Sequence, residues 1–331
     1  MADIAITTEL QEIQNNLWGT NVRENIALAL EKLQNLPEEP NTIQGSLKNS
    51  KLSLLKVSIQ NMENTLQSRK DQLDRIKARL EQASGRTILQ YGKCGNDVYY
   101  TICDDGEAAL YGTGATYDYT SHDSVFYQNN QIKEIVLSNG ITSLGDRLFY
   151  HCANAETVSL PATLTSIGDS AFAQEDAAIG YTAGLTSVTI PQAVTAIQSY
   201  AFYHTAIAEV TVPASVKTWG KYAFSGCAKL KTARVACDSI GAFAFTRCTA
   251  LSSLTISANC TKIGTCMLTY CSSLTEITYE GTKAQWDAIE KGTNWDSRHG
   301  ADHEDVLSKI ICSDGNWIFN EETKTWEEET A

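Results

Sequence analysis

A short apolar pattern recurs seven times between residues 132 and 280. Its centre is a strand-like triplet such as Val210-Thr211-Val212, with an apolar anchor three positions before it and, in most units, a second apolar pair after it. Successive triplets begin 23, 30, 22, 23, 21 and 23 positions apart, and the spacing of 30 contains an insertion around Gln174 to Gly184. Each unit therefore predicts a strand followed by turns. The triplets begin at Ile135, Val158, Val188, Val210, Ala233, Leu254 and Ile277.

A unit of this length cannot bury its own apolar face, but stacking on its neighbours covers that face. Each triplet then forms one rung of a parallel sheet, and the apolar side chains form layers of one continuous core. The central residue of each triplet points away from the core because side chains alternate along a strand. The sequence therefore predicts an exposed row made of Val136, Ser159, Thr189, Thr211, Arg234, Thr255 and Thr278.

A seven-residue apolar period precedes the repeats. From about residue 42 to 84 there is no proline, and nine of the ten a and d positions of a heptad pattern are apolar, which favours a coiled coil. Leucine at a with isoleucine or methionine at d favours trimers or higher oligomers over dimers, and we expect a homotrimer, although the mostly basic e and g positions fit an acidic partner helix equally well. The predicted oligomerisation residues are Leu52, Leu55, Ile59, Met62, Leu66, Leu73, Ile76 and Leu80.

The repeats resemble the BspA-type leucine-rich repeat family, in units such as VSLPATLTSIGDSAF and VTVPASVKTWGKYAFSGCAKL. The segment YGKCGNDVYYTICDDGEAALYGTGATYDY before them and YEGTKAQWDAIEKGTNW after them also resemble the caps of that family. The resemblance spans residues 88 to about 317. It implies a leucine-rich-repeat solenoid of the α/β class with about seven rungs, a β-hairpin cap before the array and a small C-terminal cap.

The segment TTELQEIQNNLWGTNVRENIALALEKLQ resembles the N-terminus of tail and baseplate proteins from phages and prophages of Gram-positive bacteria. The alternative interpretation is an ordinary helix-turn-helix segment that precedes the rest of the chain. The resemblance implies that residues 1–40 dock on baseplate or tail proteins. The predicted organisation is a helical docking segment at 1–40, a coiled-coil oligomerisation helix at 41–85, a β-hairpin cap at 86–131, the repeat array at 132–280, and a C-terminal cap with an acidic tail at 281–331.

Charge and composition exclude several classes of partner. The chain has 39 acidic and 26 basic side chains and a formal net charge of −13, so it repels phosphate backbones and nucleic acid is not expected as a partner. No uncharged apolar run approaches the length of a membrane span, so no membrane insertion is expected. The first residues lack the charged and apolar regions of a signal peptide, so we expect synthesis in the bacterial cytoplasm without one. Ten cysteines with no C-x-x-C pair indicate buried thiols rather than a disulfide framework.

Few residues are candidates for catalysis or metal binding. Cysteines recur at one repeat position and should form a column. Neighbouring rungs lie about 4.8 Å apart, so the thiolates of a column cannot converge on one metal ion at bond lengths near 2.3 Å. We therefore predict that these cysteines are small, buried residues of the apolar core. His299 and His303 lie four residues apart without a third ligand motif. The sequence shows no Ser/His/Asp or Cys/His arrangement typical of a catalytic nucleophile and its base. We therefore expect no enzymatic activity, no cofactor and no bound metal. The structural cysteine column is Cys152, Cys227, Cys248 and Cys271.

The two resemblances together predict a phage or prophage tail-tip receptor-binding protein, located in the virion tail, that attaches to a host cell-surface glycan or protein. A bacterial cell-surface adhesin and a cytoplasmic protein-binding scaffold are the alternatives. Hydroxyl groups can hydrogen-bond a ligand, and tyrosines can stack on sugar rings or fill a protein interface. The candidate ligand-binding residues are Ser159, Thr189, Thr211, Arg234, Thr255, Thr278, Tyr181, Tyr203 and Tyr222.

The heptad pattern leads to a test of assembly. Leu66→Asp combined with Leu73→Asp should dissociate the oligomer, because an unpaired charge in an apolar seam costs several kcal/mol. Light scattering should give a trimer for the full chain and a monomer for the double variant. A full chain that is monomeric would refute the coiled coil.

Overall fold

A computed structural model describes residues 85–120, 122–174, 183–296 and 307–329, together with separate positions between 53 and 82. Internal contacts divide the chain into two units, residues 1–88 and 89–331. In the first unit, the described positions from Ser53 to Gln82 are helical. The docking segment at 1–40 and the eight predicted oligomerisation residues between Leu52 and Leu80 lie outside the described residues, so the coiled coil stays a prediction. No helix among the described residues is long and apolar enough to cross a membrane.

The second unit begins with a β-hairpin cap of strands β1 (Ile88–Lys93), β2 (Gly95–Cys103) and β3 (Glu107–Thr116). Strand β3 starts both sheets of the solenoid, because its first half pairs with β4 and its second half with β5. Between the two halves, Gly112 has a φ of +115°, and a Cβ there would lie 1.9 Å from the Asp97 carbonyl oxygen. Only glycine fits where the strand changes partner.

Six of the seven predicted triplets form strands of the inner sheet, and the strands that pair there are parallel. After it, one further parallel rung leads into an antiparallel hairpin. The triplet strands are β4 (Glu134–Leu137), β6 (Thr157–Ser159), β9 (Glu209–Val212), β11 (Thr232–Val235), β13 (Ser253–Ile256) and β15 (Glu276–Tyr279), and the final hairpin region comprises β17 (Lys309–Cys312), β18 (Gly315–Asn320) and β19 (Thr325–Glu328).

The inner sheet is not continuous, which corrects the expectation of one parallel sheet of about seven rungs. The triplet Val188-Thr189-Ile190 forms no strand, and the sheet is interrupted between β6 and β9. Hydrogen-bonded pairing depends on the position of both neighbours, so an apolar pattern inside one unit does not reveal the break. The break directly follows the unit that carries the insertion.

A second line of short parallel strands runs along the solenoid as two separate sheets, which end and begin at residues 218–219 and 239–240. Most of these strands contain the second apolar residue that follows a triplet. No strand was predicted there, because two residues are too few to show an alternating pattern. These strands are β5 (Ile141–Leu144), β7 (Ser166–Ile167), β8 (Ala196–Ile197), β10 (Thr218–Trp219), β12 (Ser239–Ile240), β14 (Lys262–Ile263) and β16 (Glu290–Lys291). The short helix α1 (Lys283–Asp287) precedes β16 and starts with a capping box between Thr282 and Gln285.

The turn after each short strand forms a third line of contacts, which we call the turn seam. The Phe202 amide, for example, donates to the Ala223 carbonyl of the next unit at 2.8 Å. Buried phenylalanines stack along this seam with ring centroids 5.6, 5.4, 5.0 and 6.0 Å apart. The core is therefore continuous through the array. The stacked rings are those of Phe149, Phe172, Phe202, Phe224 and Phe245.

Removing one ring from this stack should destabilise the array. Phe202→Ala should lower the free energy of unfolding by about 3–5 kcal/mol, because it opens a cavity and removes a stacking partner from two neighbours. Urea denaturation followed by circular dichroism measures the loss. Tyr203→Ala, at the half-buried position next in sequence, is the matched control and should cost less. Equal losses for the two variants would contradict a stability role specific to the buried stack.

Candidate binding site on the inner sheet

The predicted row of central residues lies along the inner sheet, and we call it the hydroxyl row. Strand registers place Ser159 beside Val136, and Thr211 beside Arg234. The same row continues through Thr255 and Thr278 to Ile311 of the added rung. Thr189 is exposed but has no register partner, because its triplet forms no strand. The side chains at 159, 189, 211 and 278 are exposed, and those at 136, 234 and 255 are half-buried.

A second row on the same face was missed by the sequence analysis. It consists of the residue before each triplet, which alternation places on the solvent side. Registers pair Glu134 with both Glu107 and Thr157, and Thr232 with Glu209 and Ser253. Because glutamate recurs here, the hydroxyl row has an acidic border. The residues of this acidic row are Glu107, Glu134, Thr157, Glu209, Thr232, Ser253, Glu276 and Lys309.

Arg234 is the one cation of the hydroxyl row, and it is paired. Its guanidinium donates through both terminal nitrogens to the Glu280 carboxylate, with Nη2 and Oε2 3.0 Å apart. This hydrogen bonding raises the pKa of Arg234 and lowers the pKa of Glu280. A bidentate pair fixes the orientation of both groups. Arg234 therefore offers a ligand a fixed and largely neutralised group, and the role assigned to it as a ligand contact remains a prediction.

Two of the three candidate tyrosines, Tyr203 and Tyr222, lie on the turn seam and not in the hydroxyl row. Tyr222 stacks between Tyr200 and Phe243, with centroids 4.9 and 4.5 Å away and rings within about 11° of parallel. Both of its ring faces are therefore occupied, and Tyr222 can offer a ligand its hydroxyl and ring edge but no free face. The ring of Tyr203 packs against Tyr200 and His204, with centroids 5.3 and 4.2 Å away. Tyr181 lies outside the described residues.

The backbone of the repeated turn aligns the stacked rings of Tyr200, Tyr222 and Phe243. Tyr200, Tyr222 and Phe243 have φ values of 57°, 60° and 58°, in the left-handed region that non-glycine residues rarely adopt. The same left-handed position recurs in successive units, so the three side chains leave the turn in the same direction and stack. The repeated turn thus aligns the rings, and a sequence pattern alone does not show which ring faces remain free.

The cysteine column is buried, and its thiols also bridge units. Each Sγ donates to the carbonyl of the phenylalanine one unit earlier, at 3.0, 3.2, 3.2 and 3.1 Å for Cys152, Cys227, Cys248 and Cys271. Thr205, at the same position, donates instead to the Phe202 carbonyl of its own unit, at 2.9 Å, and its hydroxyl lies 3.3 Å from the Cys227 thiol of the next unit. The position therefore holds a small side chain with a hydrogen-bond donor, although threonine does not reproduce the bond that the cysteines make to the preceding unit.

Burial keeps these thiols protonated. It raises the pKa of Cys152, Cys227 and Cys271 to about 12, and the pKa of Cys248 well above its usual value. Metal ligation requires the thiolate. Within the described ranges, no three histidine, cysteine, aspartate or glutamate side chains are grouped to hold a metal ion. His299 and His303 lie outside those ranges.

A parallel sheet of stacked repeats with a hairpin cap defines a leucine-rich-repeat solenoid. The family model described as BspA type leucine rich repeat region matches this chain over residues 119–180 and 175–289, with six copies of the repeat. The match covers more than half of the chain. This protein therefore belongs to that family, as the resemblance of its repeats predicted. The match does not reach residues 1–85, so their resemblance to tail and baseplate proteins stays a prediction.

Three solved structures illustrate the likeness. A leucine-rich repeat protein from Eubacterium ventriosum is 19% identical, with 67% of this chain and 93% of that chain covered and a TM-score of 0.33. The T. pallidum leucine rich repeat protein is 19% identical, with coverage of 56% and 87% and a TM-score of 0.37. The pneumococcal vaccine antigen PcpA is 13% identical, with coverage of 67% and 89% and a TM-score of 0.28. A comparison with curated proteins returned no match.

The thiol hydrogen bonds lead to a test of the cysteine column. Cys248→Ala should lower the free energy of unfolding by about 1–2 kcal/mol, because it removes packed volume and the side-chain donor to the Phe224 carbonyl, which then accepts from the Cys227 amide at 3.4 Å. Cys248→Ser keeps a donor and should lose less. Urea denaturation measures both variants, and elemental analysis measures bound metal. Stoichiometric zinc that disappears in the variants would refute the structural role, and a serine variant as unstable as the alanine variant would refute the donor role.

Proposed function

We propose that this chain is a non-catalytic attachment protein whose inner sheet binds a glycan or protein on a host cell surface. The observation that supports this proposal is the hydroxyl row with its acidic border. Four rungs in register, from Thr211 to Thr278, present hydrogen-bonding side chains at regular spacing, and the row contains no histidine or cysteine to act as base or nucleophile. Such a surface suits recognition more than reaction.

The attachment proposal extends to the rest of the chain through sequence patterns alone. In it, residues 1–40 dock on the baseplate or tail proteins of a phage or prophage, and residues 41–85 hold the chain as a homotrimer in the virion tail. Several arrays on one particle would multiply weak contacts through effective concentration. Attachment to a repetitive cell surface suits this arrangement.

Membership of the BspA-type family supports a second candidate. In it the same inner sheet serves a bacterial cell-surface adhesin, and residues 1–85 anchor or oligomerise the chain without any tail. A cytoplasmic scaffold that binds protein partners on the inner sheet is the third. The three candidates share the inner sheet as binding surface and differ in location, so the location of the protein separates them.

The attachment proposal is tested on whole cells. Fluorescently labelled full-length protein should be retained on Gram-positive host cells, and Thr211→Arg with Thr278→Arg should reduce retention about tenfold by placing bulk and charge across the hydroxyl row. Thr218→Arg, on strand β10 outside the inner sheet, is the matched control and should leave retention unchanged.

Three outcomes would change the proposal. Equal retention of the double variant and the control would remove the inner sheet as the binding surface. No retention on any strain would favour the cytoplasmic scaffold. Retention of a fragment of residues 1–85 alone would show that the two ends of the chain have the opposite roles.

A further inference from the structure

The ion pair between Arg234 and Glu280 crosses the hydroxyl row of the inner sheet. Arg234 lies on β11, Glu280 directly follows β15, and β13 lies between these two strands. The Glu280 amide donates to the Ile256 carbonyl of β13 at 2.9 Å, so the chain is still in register at this residue. The ion pair therefore spans three neighbouring rungs and passes over the middle one.

The middle rung is less exposed than other rungs of the row. Thr255 on β13 is half-buried and Ser257, two positions later, is buried, whereas Thr211 and Thr278 are exposed. The arginine and glutamate side chains of the pair keep 42% and 38% of their own surface exposed. A ligand that lies along the hydroxyl row therefore contacts the ion pair itself at this rung.

The ion pair also determines the charge that the row presents. A guanidinium without a partner binds a carboxylate or a phosphate through two parallel hydrogen bonds. In this protein the Glu280 carboxylate already occupies that bidentate geometry, and it belongs to the same chain as Arg234. An acidic ligand would have to displace it. The other residues of the row are uncharged: Val136, Ser159, Thr189, Thr211, Thr255 and Thr278.

The acidic row beside the hydroxyl row acts in the same direction. Glu209 and Glu276 are exposed on strands β9 and β15, close to the ion pair. Lys309 is the one cation of the acidic row, and its ammonium group donates to the Glu329 carboxylate at 3.2 Å. The chain as a whole carries a formal net charge of −13. The inner sheet therefore repels anionic ligands and favours a ligand without negative charge.

We propose that Glu280 determines the charge specificity of the inner sheet: it holds Arg234 in a neutral pair, so that the hydroxyl row binds a neutral glycan and rejects acidic glycans. The inference rests on the proposed function, because it names the class of ligand for the same surface. Hydroxyl groups of a neutral glycan match the donors and acceptors of the serine and threonine side chains. A glycan with carboxylates would have to break the ion pair and lie beside the acidic row.

Binding of two oligosaccharides to the full-length protein tests the proposal. The acidic probe is a fluorescent oligogalacturonate, which has a carboxylate on each sugar, and the neutral probe is its methyl-esterified form. Fluorescence anisotropy follows both. We expect Glu280→Gln to bind the acidic probe about tenfold more tightly than the original chain does, because the Arg234 guanidinium becomes available for a charge-assisted contact. The neutral probe should show no comparable gain.

Two further variants separate the role of Arg234 from that of net charge. Glu276→Gln removes the same charge from an exposed position at the start of β15 that takes no part in the ion pair. It should tighten binding of the acidic probe about twofold at most, because exposed charges are screened. Arg234→Gln combined with Glu280→Gln keeps the original net charge and should return the acidic probe to its original affinity. Circular dichroism checks the fold of each variant.

An equal gain for Glu276→Gln and Glu280→Gln would overturn the proposal, because net charge alone would then explain the gain. No gain for Glu280→Gln up to millimolar probe would also overturn it, as would tighter binding of the acidic than of the neutral probe by the original chain. Retention on cells, measured in parallel, tests attachment separately. The gain without retention supports the charge specificity and rejects attachment, and retention without the gain rejects the charge specificity alone.

Discussion

Hydrogen bonds and packing between neighbouring units hold this fold together, because no single unit can bury its own apolar face. The inner sheet and the line of short strands run from unit to unit with one interruption each, between β6 and β9 and between β10 and β12. The turn seam joins the same units, and each repeat position therefore forms a column. The phenylalanine stack and the thiol-to-carbonyl bonds are two such columns, placed side by side in the core. A side chain in a column is selected for what it offers the units before and after it.

The same constraint determines what the surface can do. A column of exposed positions gives a regular strip with one kind of chemistry, as the hydroxyl row and the acidic row show. Regular strips provide many equivalent contacts but little that distinguishes one ligand from another. Features that distinguish one ligand from another then depend on places where the columns break, and the inner sheet breaks at the unpaired triplet between β6 and β9. There, the half-exposed core side chains of Val158, Leu160 and Val188 replace the regular pattern.

The repeat spacing predicted six of the seven triplet strands and the buried cysteine column, because both depend on one unit repeated at a nearly constant period. Features that depend on contacts between units were not predictable in this way. The ion pair between Arg234 and Glu280 joins residues 46 positions apart. The sandwiching of Tyr222 depends on the left-handed turns of three units. The unpaired Thr189 has the same apolar neighbours as the other central residues, so its pattern in the sequence is the same.

A break in one rung must be tolerated by the rest of the stack. The segment around Thr189 keeps its hydrogen bonds at Thr186 and Thr195, so the units on both sides stay in register while its middle remains unpaired. The other two lines of contact also cross this place. The rings of Phe172 and Phe202 stack with centroids 5.4 Å apart, and the short strands β7 and β8 pair in register. Because three lines of contact run along the array, the inner sheet can lose its pairing at one rung while the two units stay packed on each other.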